Sequence, residues 1–598
     1  MNQLQKKVSK GWIIKALSII FLVNQAKAQT AMVNVQSRNL TSLNGKWKVM
    51  VDPGNIGGWK KFWIEPKLEK KTDFFEYSFN GGPELNVPGD FNSQLCELTF
   101  FEGSVWYKKQ FTISKKKNSR LFLHFGAVNY IAEVYLNEEK LGSHEGGFTP
   151  FQFEITDKVK EGDNEIIVKV DNRRLENGLP GYGYDWLNYG GITRDVNIIE
   201  TRNTYIDDYF IQLKKGSLNT VLGWVQLKGL QSEQRIKVKI PELNIVYKAK
   251  TNKSGYAKLE FSSRFKLWSP ESPKLYKVIV ESETDTIVDE IGFRSIETKG
   301  AEVLLNKKPI FIKAVNIHEE NPLKKSRAHS LEDDKLLLNS AKELGCNLVR
   351  LAHYPHNENM IKEAEKMGLM VWSELPIYQH IKFSDSLVPK KMETMLDEMI
   401  HRDKNHCGVV VWSLSNETYS GTPNRTKALI DLTKKCKAID STRLVVHVIN
   451  TQGYSNNSFN VTDTLYNYSD LVALNEYIGW YIPWQGKPSE VKWKVDFPNK
   501  PVFISEFGGE ALFGSKGPVD EAAYWTEEYQ EQIYKNQIEM FKTIPNLSGV
   551  CPWILYDYKS LGRMHQLYQK GYNRKGLISE NGEKKKAWYI MNEYFNQK

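Results

Sequence analysis

From about Val33 to Glu200 the chain is built of short runs in which apolar and polar positions alternate, punctuated by Gly, Asn and Pro; RLFLHFGAVNYIAEVYLNEEKLGSHEGGFTPFQFEI is typical. Period-two alternation broken by turn residues predicts an all-β sandwich. A second β-rich stretch, roughly Thr201 to Ile296, repeats the pattern over a length suited to one small immunoglobulin-like sandwich. After Glu297 the texture changes. Short apolar runs now alternate with amphipathic helical stretches, the signature of parallel βα units. Eight strand candidates follow one another: IFIKAVNIHE, NLVRLAHYP, LMVWSELP, VVVWSLSNE, LVVHVIN, LVALNEY, VFISEFGG and GVCPWILYD. Helical segments such as SLEDDKLLLNSAKELG, NENMIKEAEKMG and EEYQEQIYKNQIEMFK lie between or after them, and a last helix spans about Lys586 to Phe595. Eight strands with crossovers in about three hundred residues fit a closed (β/α)₈ barrel better than an open sheet.

At 598 residues the chain exceeds one hydrophobic core, and three domains are expected. The pattern divides it into a leader over 1–28, a first sandwich of jelly-roll type over 29–200, a second sandwich over 201–296 and a barrel over 297–598. The leader reading rests on Lys6, Lys7, Lys10 and Lys15, an apolar run from Ala16 to Val23, and Ala26-Lys27-Ala28 before Gln29. That is a signal-peptide pattern with cleavage after Ala28. The run is too short to span a bilayer, which needs about 20 residues. Export to a periplasm or the exterior is the expectation. A lipid anchor is disfavoured because the first cysteine is Cys96.

The net charge of +10 includes the leader lysines, and what remains is scattered rather than gathered into a stripe. This argues against a nucleic-acid partner and suits an acidic substrate. The five cysteines are odd in number and far apart, unlike a disulfide framework or a metal site. His353 and His356 are separated by a proline that breaks a shared helical face. No metal or other cofactor is called for.

Barrels of this type place their chemistry at the C-terminal ends of their strands. Those ends carry His318 and Glu319, His353, Glu374, Asn416 and Glu417, Asn475 and Tyr477, Glu506, and Trp553. Polar groups at so many matching positions indicate a site. Two facing carboxyls, one protonated and one ionised, are what retaining hydrolysis of a glycosidic bond requires. Glu417 and Glu506 can face each other across the mouth; geometry alone also permits pairs with Glu374 or Glu319.

Over essentially its whole length beyond the leader, the chain resembles glycoside hydrolase family 2, which holds β-glucuronidases, β-galactosidases and β-mannosidases. DKNHCGVVVWSLSNE, Asp403 to Glu417, is similar to the family's acid/base signature. NLVRLAHYP resembles its other signature, with Leu351 in place of the small residue usual after the Arg. ISEFGG resembles the nucleophile strand. The resemblance implies that Glu417 is the general acid/base and Glu506 the nucleophile, that Asn416 binds the sugar 2-hydroxyl, and that Tyr477 donates to Glu506. Glu374 is expected to be structural, and His318, His353 and Trp553 to line the sugar pocket. YDWLNYGGITRDV resembles the segment that sends an Asp into the active site, assigning Asp185 to sugar hydroxyls. GYNRKG places Asn573 and Lys575 in the Asn-x-Lys arrangement with which some members recognise a uronic carboxylate.

The resemblance therefore implies an exo-acting retaining β-glycosidase that removes terminal β-D-glucuronic acid from conjugates or acidic oligosaccharides. Some of those members carry an Arg four positions before the Asn, where this chain has Gln569. Galacturonide or galactoside hydrolysis is accordingly the alternative within the family. An inactive carbohydrate-binding protein is the alternative outside it. Relatives are often dimers or tetramers, so a homo-oligomer is compatible with the resemblance.

Overall fold

A computed structural model describes residues 27–65, 76–419, 421–451, 453–518 and 523–597. The leader call lies outside these residues apart from Lys27 and Ala28. The first domain is a sandwich of a five-stranded and a six-stranded sheet. Its core joins Trp47, Val49, Leu123, Phe125, Val134, Phe151 and Val168, all fully buried. Antiparallel pairing of Ser104–Ile113 with Gly162–Asp171 runs in register over ten residues. Gln29–Thr30 pairs with Phe151–Gln152 at one edge. The second domain packs a three-stranded sheet on a four-stranded one. Thr220–Gly229 alternates buried and half-buried positions along most of its length, the two-faced pattern of a sandwich strand.

The eight strands of the closed barrel are Ile312–Ile317, Leu348–Leu351, Met370–Glu374, Val409–Asn416, Leu444–Asn450, Val472–Asn475, Val502–Glu506 and Leu547–Val550. The first seven lie within their sequence runs, whereas the eighth begins two residues before the run GVCPWILYD and shares only Gly549 and Val550 with it. All eight residues of Val409–Asn416 are buried, because barrel strands are covered by helices outside and by packed side chains within. The helix Leu331–Leu344 begins with a capping box in which Ser330 accepts from the Asp333 amide. It ends at Gly345 with φ +98°, a conformation that favours glycine. Four of the five cysteines are buried free thiols. No described helix is long and apolar enough to cross a membrane.

The first sandwich is fastened to the barrel mouth by buried polar contacts. Arg194 meets Glu319 at 3.1 Å and donates to the carbonyls of Phe148 and Pro355 at 2.6 and 2.7 Å. Arg327 is the second cation on Glu319. Burial alone would raise the Glu319 pKa, but the two guanidiniums hold it down at about 2. This anchoring carries the loop around Asp185 to the barrel's active face.

Candidate active site

Glu417 follows directly on the fourth barrel strand with φ +51°. For a glutamate this left-handed conformation costs about 1–3 kcal/mol. It is held by the Glu417 amide, which donates to the Val448 carbonyl of the fifth strand at 2.9 Å. The carboxylate accepts from Asn475 Nδ2 at 3.0 Å and from Gln379 Nε2 at 2.8 Å. Glu506 ends the seventh strand. It accepts from Tyr477 Oη at 2.7 Å and pairs with Arg350 Nη1 at 2.9 Å. His353 Nε2 lies 3.8 Å from its Oε1.

Arg350 organises this half of the site. Fully buried, it reaches Glu374 through Nε and Nη2 at 3.0 Å each and donates to Asn416 Oδ1 at 2.8 Å. Glu374 also takes His353 Nδ1 at 2.7 Å and the Ser413 hydroxyl at 2.7 Å. Burial pushes the Glu374 pKa up, and Arg350 and His353 more than offset it, bringing it to about 2. Glu374 is therefore a fixed anion that orients Arg350 and the His353 ring. Asn416, its Oδ1 occupied, keeps Nδ2 without a partner among the described residues. That orphan donor is free for a ligand hydroxyl.

The expected division of labour pairs a raised acid with a nucleophile kept ionised by its hydrogen bonds. For Glu506 several causes oppose one another. Burial raises its pKa and Glu417 adds to the rise, while Arg350, His353 and Tyr477 oppose it, and the net direction is upward. Hydrogen bonds to a carboxylate favour its ionised form, so Tyr477 works to keep Glu506 charged. Tyr477→Phe is expected to raise the Glu506 pKa further, moving the acidic limb of the kcat/KM–pH profile to higher pH. The same change should cost roughly one to two powers of ten in kcat/KM at neutral pH. An acidic limb that stays where it is would remove Tyr477 from this role.

A cavity of about 400 Å³ opens above the pair, walled by Asp185, His353, Tyr477, Trp553, Asn573 and Lys575 together with Glu417 and Glu506. Two expected site residues are not in that wall. Asn416 sits beneath it, held by Arg350. His318 packs against wall residues, 4.3 Å ring to ring from Tyr558 and 5.3 Å from Trp553, with Nδ1 at 3.2 Å from the Tyr354 hydroxyl and Nε2 without a partner among the described residues. Burial drives the His318 pKa well down.

At the far end of the cavity Lys575, almost fully buried, lies 2.8 Å from the Tyr481 hydroxyl and 3.5 Å from Glu510 Oε1. Arg563, absent from the sequence candidates, stands beside it. Its Nη2 pairs with Asp185 Oδ2 at 2.5 Å and its Nη1 with Glu510 Oε1 at 3.2 Å. Asn573 Nδ2 donates to Asp185 at 3.2 Å and to the Tyr558 hydroxyl at 2.9 Å. Asp185 is thus delivered from the first sandwich into the wall and held there by a cation; burial would raise its pKa, and Arg563 lowers it. Gln569 does not reach the cavity wall and donates to Glu510 Oε2 at 2.9 Å. A guanidinium does line the cavity, that of Arg563, six residues before Gln569. Gln379, Tyr378 and Tyr481 are further wall residues that motif reading did not single out.

Paired glutamates at the mouth of a (β/α)₈ barrel, with a sandwich domain reaching into the same cavity, define the protein's class as glycoside hydrolase. Three family models match in succession: the sugar binding domain of glycosyl hydrolases family 2 over residues 40–202, a further glycosyl hydrolases family 2 domain over 204–294, and the family's TIM barrel domain over 296–596. The chain belongs to glycosyl hydrolases family 2. It is similar to a β-glucuronidase of Streptococcus agalactiae, 28% identical over 86% of this chain and 93% of the relative. It is also similar to that of Rattus norvegicus, 27% identical over 94% and 91%. Among solved structures, β-glucuronidase of Ruminococcus gnavus superposes with a TM-score of 0.82 at 23% identity, covering 96% of this chain and all of that one. The Bifidobacterium dentium enzyme, complexed with coumarin-3-O-glucuronide, superposes at 0.80 with 24% identity, covering 94% and 97%.

Proposed function

We propose that the protein is an exo-acting β-glucuronidase working by double displacement. Glu506 attacks the anomeric carbon while Glu417 protonates the departing oxygen. Glu417 then takes a proton from water, which releases the sugar from Glu506 with overall retention. Asp185 accepts from sugar hydroxyls, and Asn416 Nδ2 donates to one next to the reacting carbon. The relatives' names support the substrate. One observation carries the reading: two cations, Lys575 and Arg563, with the amide of Asn573 between Asp185 and Tyr558, close the cavity end.

An ammonium has three N–H donors, and Lys575 directs one to Tyr481 and one toward Glu510. A uronic carboxylate can take the third as a charge-assisted bond, whereas a hydroxymethyl group leaves the charge poorly matched. Initial rates on aryl β-glucuronide, β-galacturonide and β-galactoside test this. The glucuronide should be fastest; a faster galactoside would contradict the uronic reading, and a faster galacturonide would change the sugar.

The leader pattern supports export with cleavage after Ala28 as part of the same proposal. N-terminal sequencing of protein from its native host should begin at Gln29, and a mature chain starting at Met1 would contradict it.

A further inference from the structure

We infer that Gln379 is a positioning residue for the general acid/base: its side-chain amide holds Oε2 of Glu417 in the cavity, and Oε2 is the oxygen through which the proton passes. This rests on the glucuronidase reading above, in which Glu417 is the acid/base. The two Glu417 oxygens are not equivalent. Oε1 accepts from Asn475 Nδ2 at 3.0 Å. Asn475 is buried and fixed in orientation, because its Oδ1 accepts from the Ser505 hydroxyl at 2.8 Å and its Nδ2 also serves Asn416 Oδ1 at 3.2 Å. Oε2 accepts from Gln379 Nε2 at 2.8 Å, and Gln379 is half-buried and lines the cavity. Oε2 is therefore the oxygen on the substrate's side.

The backbone points the same way. Gln379 has φ +43° and Glu417 φ +51°, a left-handed conformation that is strained for both and favours glycine or asparagine. Two such residues share one hydrogen bond across the ends of the third and fourth strands. The Gln379 amide donates to the Asn416 carbonyl and the Asn416 amide to the Ile377 carbonyl, each at 2.9 Å, which holds the pair in register. The first sandwich closes on the same turn, since a Cβ on Gly181 would lie 2.0 Å from the His380 carbonyl oxygen. Glutamine suits this backbone poorly, so the position is occupied for its side chain.

A neutral amide also suits an acid that must later act as a base. Against burial, Arg350 and His353 hold Glu374 down at about 2, and a carboxylate so fixed cannot donate a proton at neutral pH. Gln379 can donate to Oε2 in either state, because a protonated carboxyl keeps acceptor capacity. In the first step the proton leaves Oε2 for the departing oxygen, as that oxygen's bond to the anomeric carbon breaks and the bond to Glu506 forms. In the second, Oε2 takes the proton of the attacking water.

The test is the dependence of kcat/KM on the leaving group. A 2,4-dinitrophenolate departs from its β-glucuronide with almost no proton transfer, whereas phenolate needs one, so a badly aimed acid costs most on the phenyl substrate. Two variants are compared with wild type. Gln379→Gly removes the side chain and should fold, because glycine adopts the left-handed backbone without strain; Gln379→Met keeps the length but has no N–H. In both, the ratio of kcat/KM on phenyl β-glucuronide to that on the dinitrophenyl compound should fall about tenfold. A ratio unchanged in both variants, whether or not the two rates fall together, overturns the role and leaves the glucuronidase reading standing. A ratio that falls with glycine but survives with methionine assigns the effect to bulk and overturns the hydrogen bond. Inactivity of the wild type on both glucuronides overturns that reading and the role with it.

Discussion

Replacing Glu506 by Ala should lower kcat on an aryl β-glucuronide on the order of 10⁴-fold or more, because no group is left to form the covalent intermediate. Added azide should restore turnover and yield the α-glucuronosyl azide, the small anion attacking from the face the carboxylate has vacated. Glu417→Ala should behave differently. An activated aryl leaving group departs with little protonation, so the first step survives while the second loses its base and slows by about 10²–10⁴-fold. Azide, which needs no base, should then attack the glycosyl-enzyme and yield the β-azide. Folding should persist in both variants, since Asn475 and Gln379 on one side and Arg350 and Tyr477 on the other remain. Interchanged azide products would interchange the two roles. Near-wild-type rates in either variant would remove that glutamate from the mechanism.

The second large effect concerns specificity. Lys575→Ala removes a charge-assisted contact worth roughly 1.5–3 kcal/mol, so kcat/KM for aryl β-glucuronide should fall by about one to two powers of ten. Arg563 remains beside Glu510 at 3.2 Å, which keeps that buried carboxylate paired and spares the fold the cost of an isolated buried charge. Turnover of an aryl β-glucoside, already poor, should change little, because a hydroxymethyl group gains no charge-assisted bond from the ammonium. The ratio of kcat/KM on the two substrates is the readout. Equal losses on both would mean that Lys575 only supports its loop, and that the sugar recognised here is neutral.

The parts of this site that were legible in the sequence are those fixed by local pattern. Five of the eight barrel strands are apolar runs that end on a polar residue, and at the fourth and seventh that end delivers the paired glutamates: Glu417 directly follows Asn416, and Glu506 is itself the last strand residue. Asp185 was legible only through resemblance, because nothing local tells a loop carboxylate that it crosses a domain boundary to meet Arg563. Arg563 was hidden by spacing: it lies six residues before Gln569, outside the motif, and reaches the wall through its pairing with Asp185, while Gln569 ties its loop to Glu510. Arg350 was visible inside a motif but not as the hub of Glu374, Asn416 and Glu506, a relation between four strands. His318 follows the first strand, yet it is absent from the cavity wall and packs edge-on to Trp553 and tilted against Tyr558, a packing order that has no trace in a single strand's pattern. The upward shift of Glu506 is likewise a sum over burial and four charged or polar neighbours drawn from different strands and loops.

The central claim is that Glu417 and Glu506 hydrolyse a terminal β-glucuronide through a covalent intermediate. Proton NMR of an aryl β-glucuronide digested by the purified protein tests it most directly, when spectra are taken before the released sugar mutarotates. Retention predicts that the β-anomer of glucuronic acid appears first, with the α-anomer growing in later at the uncatalysed rate. An α-anomer that appears first would show inversion and contradict the double displacement; an unchanged substrate would contradict the glucuronidase itself.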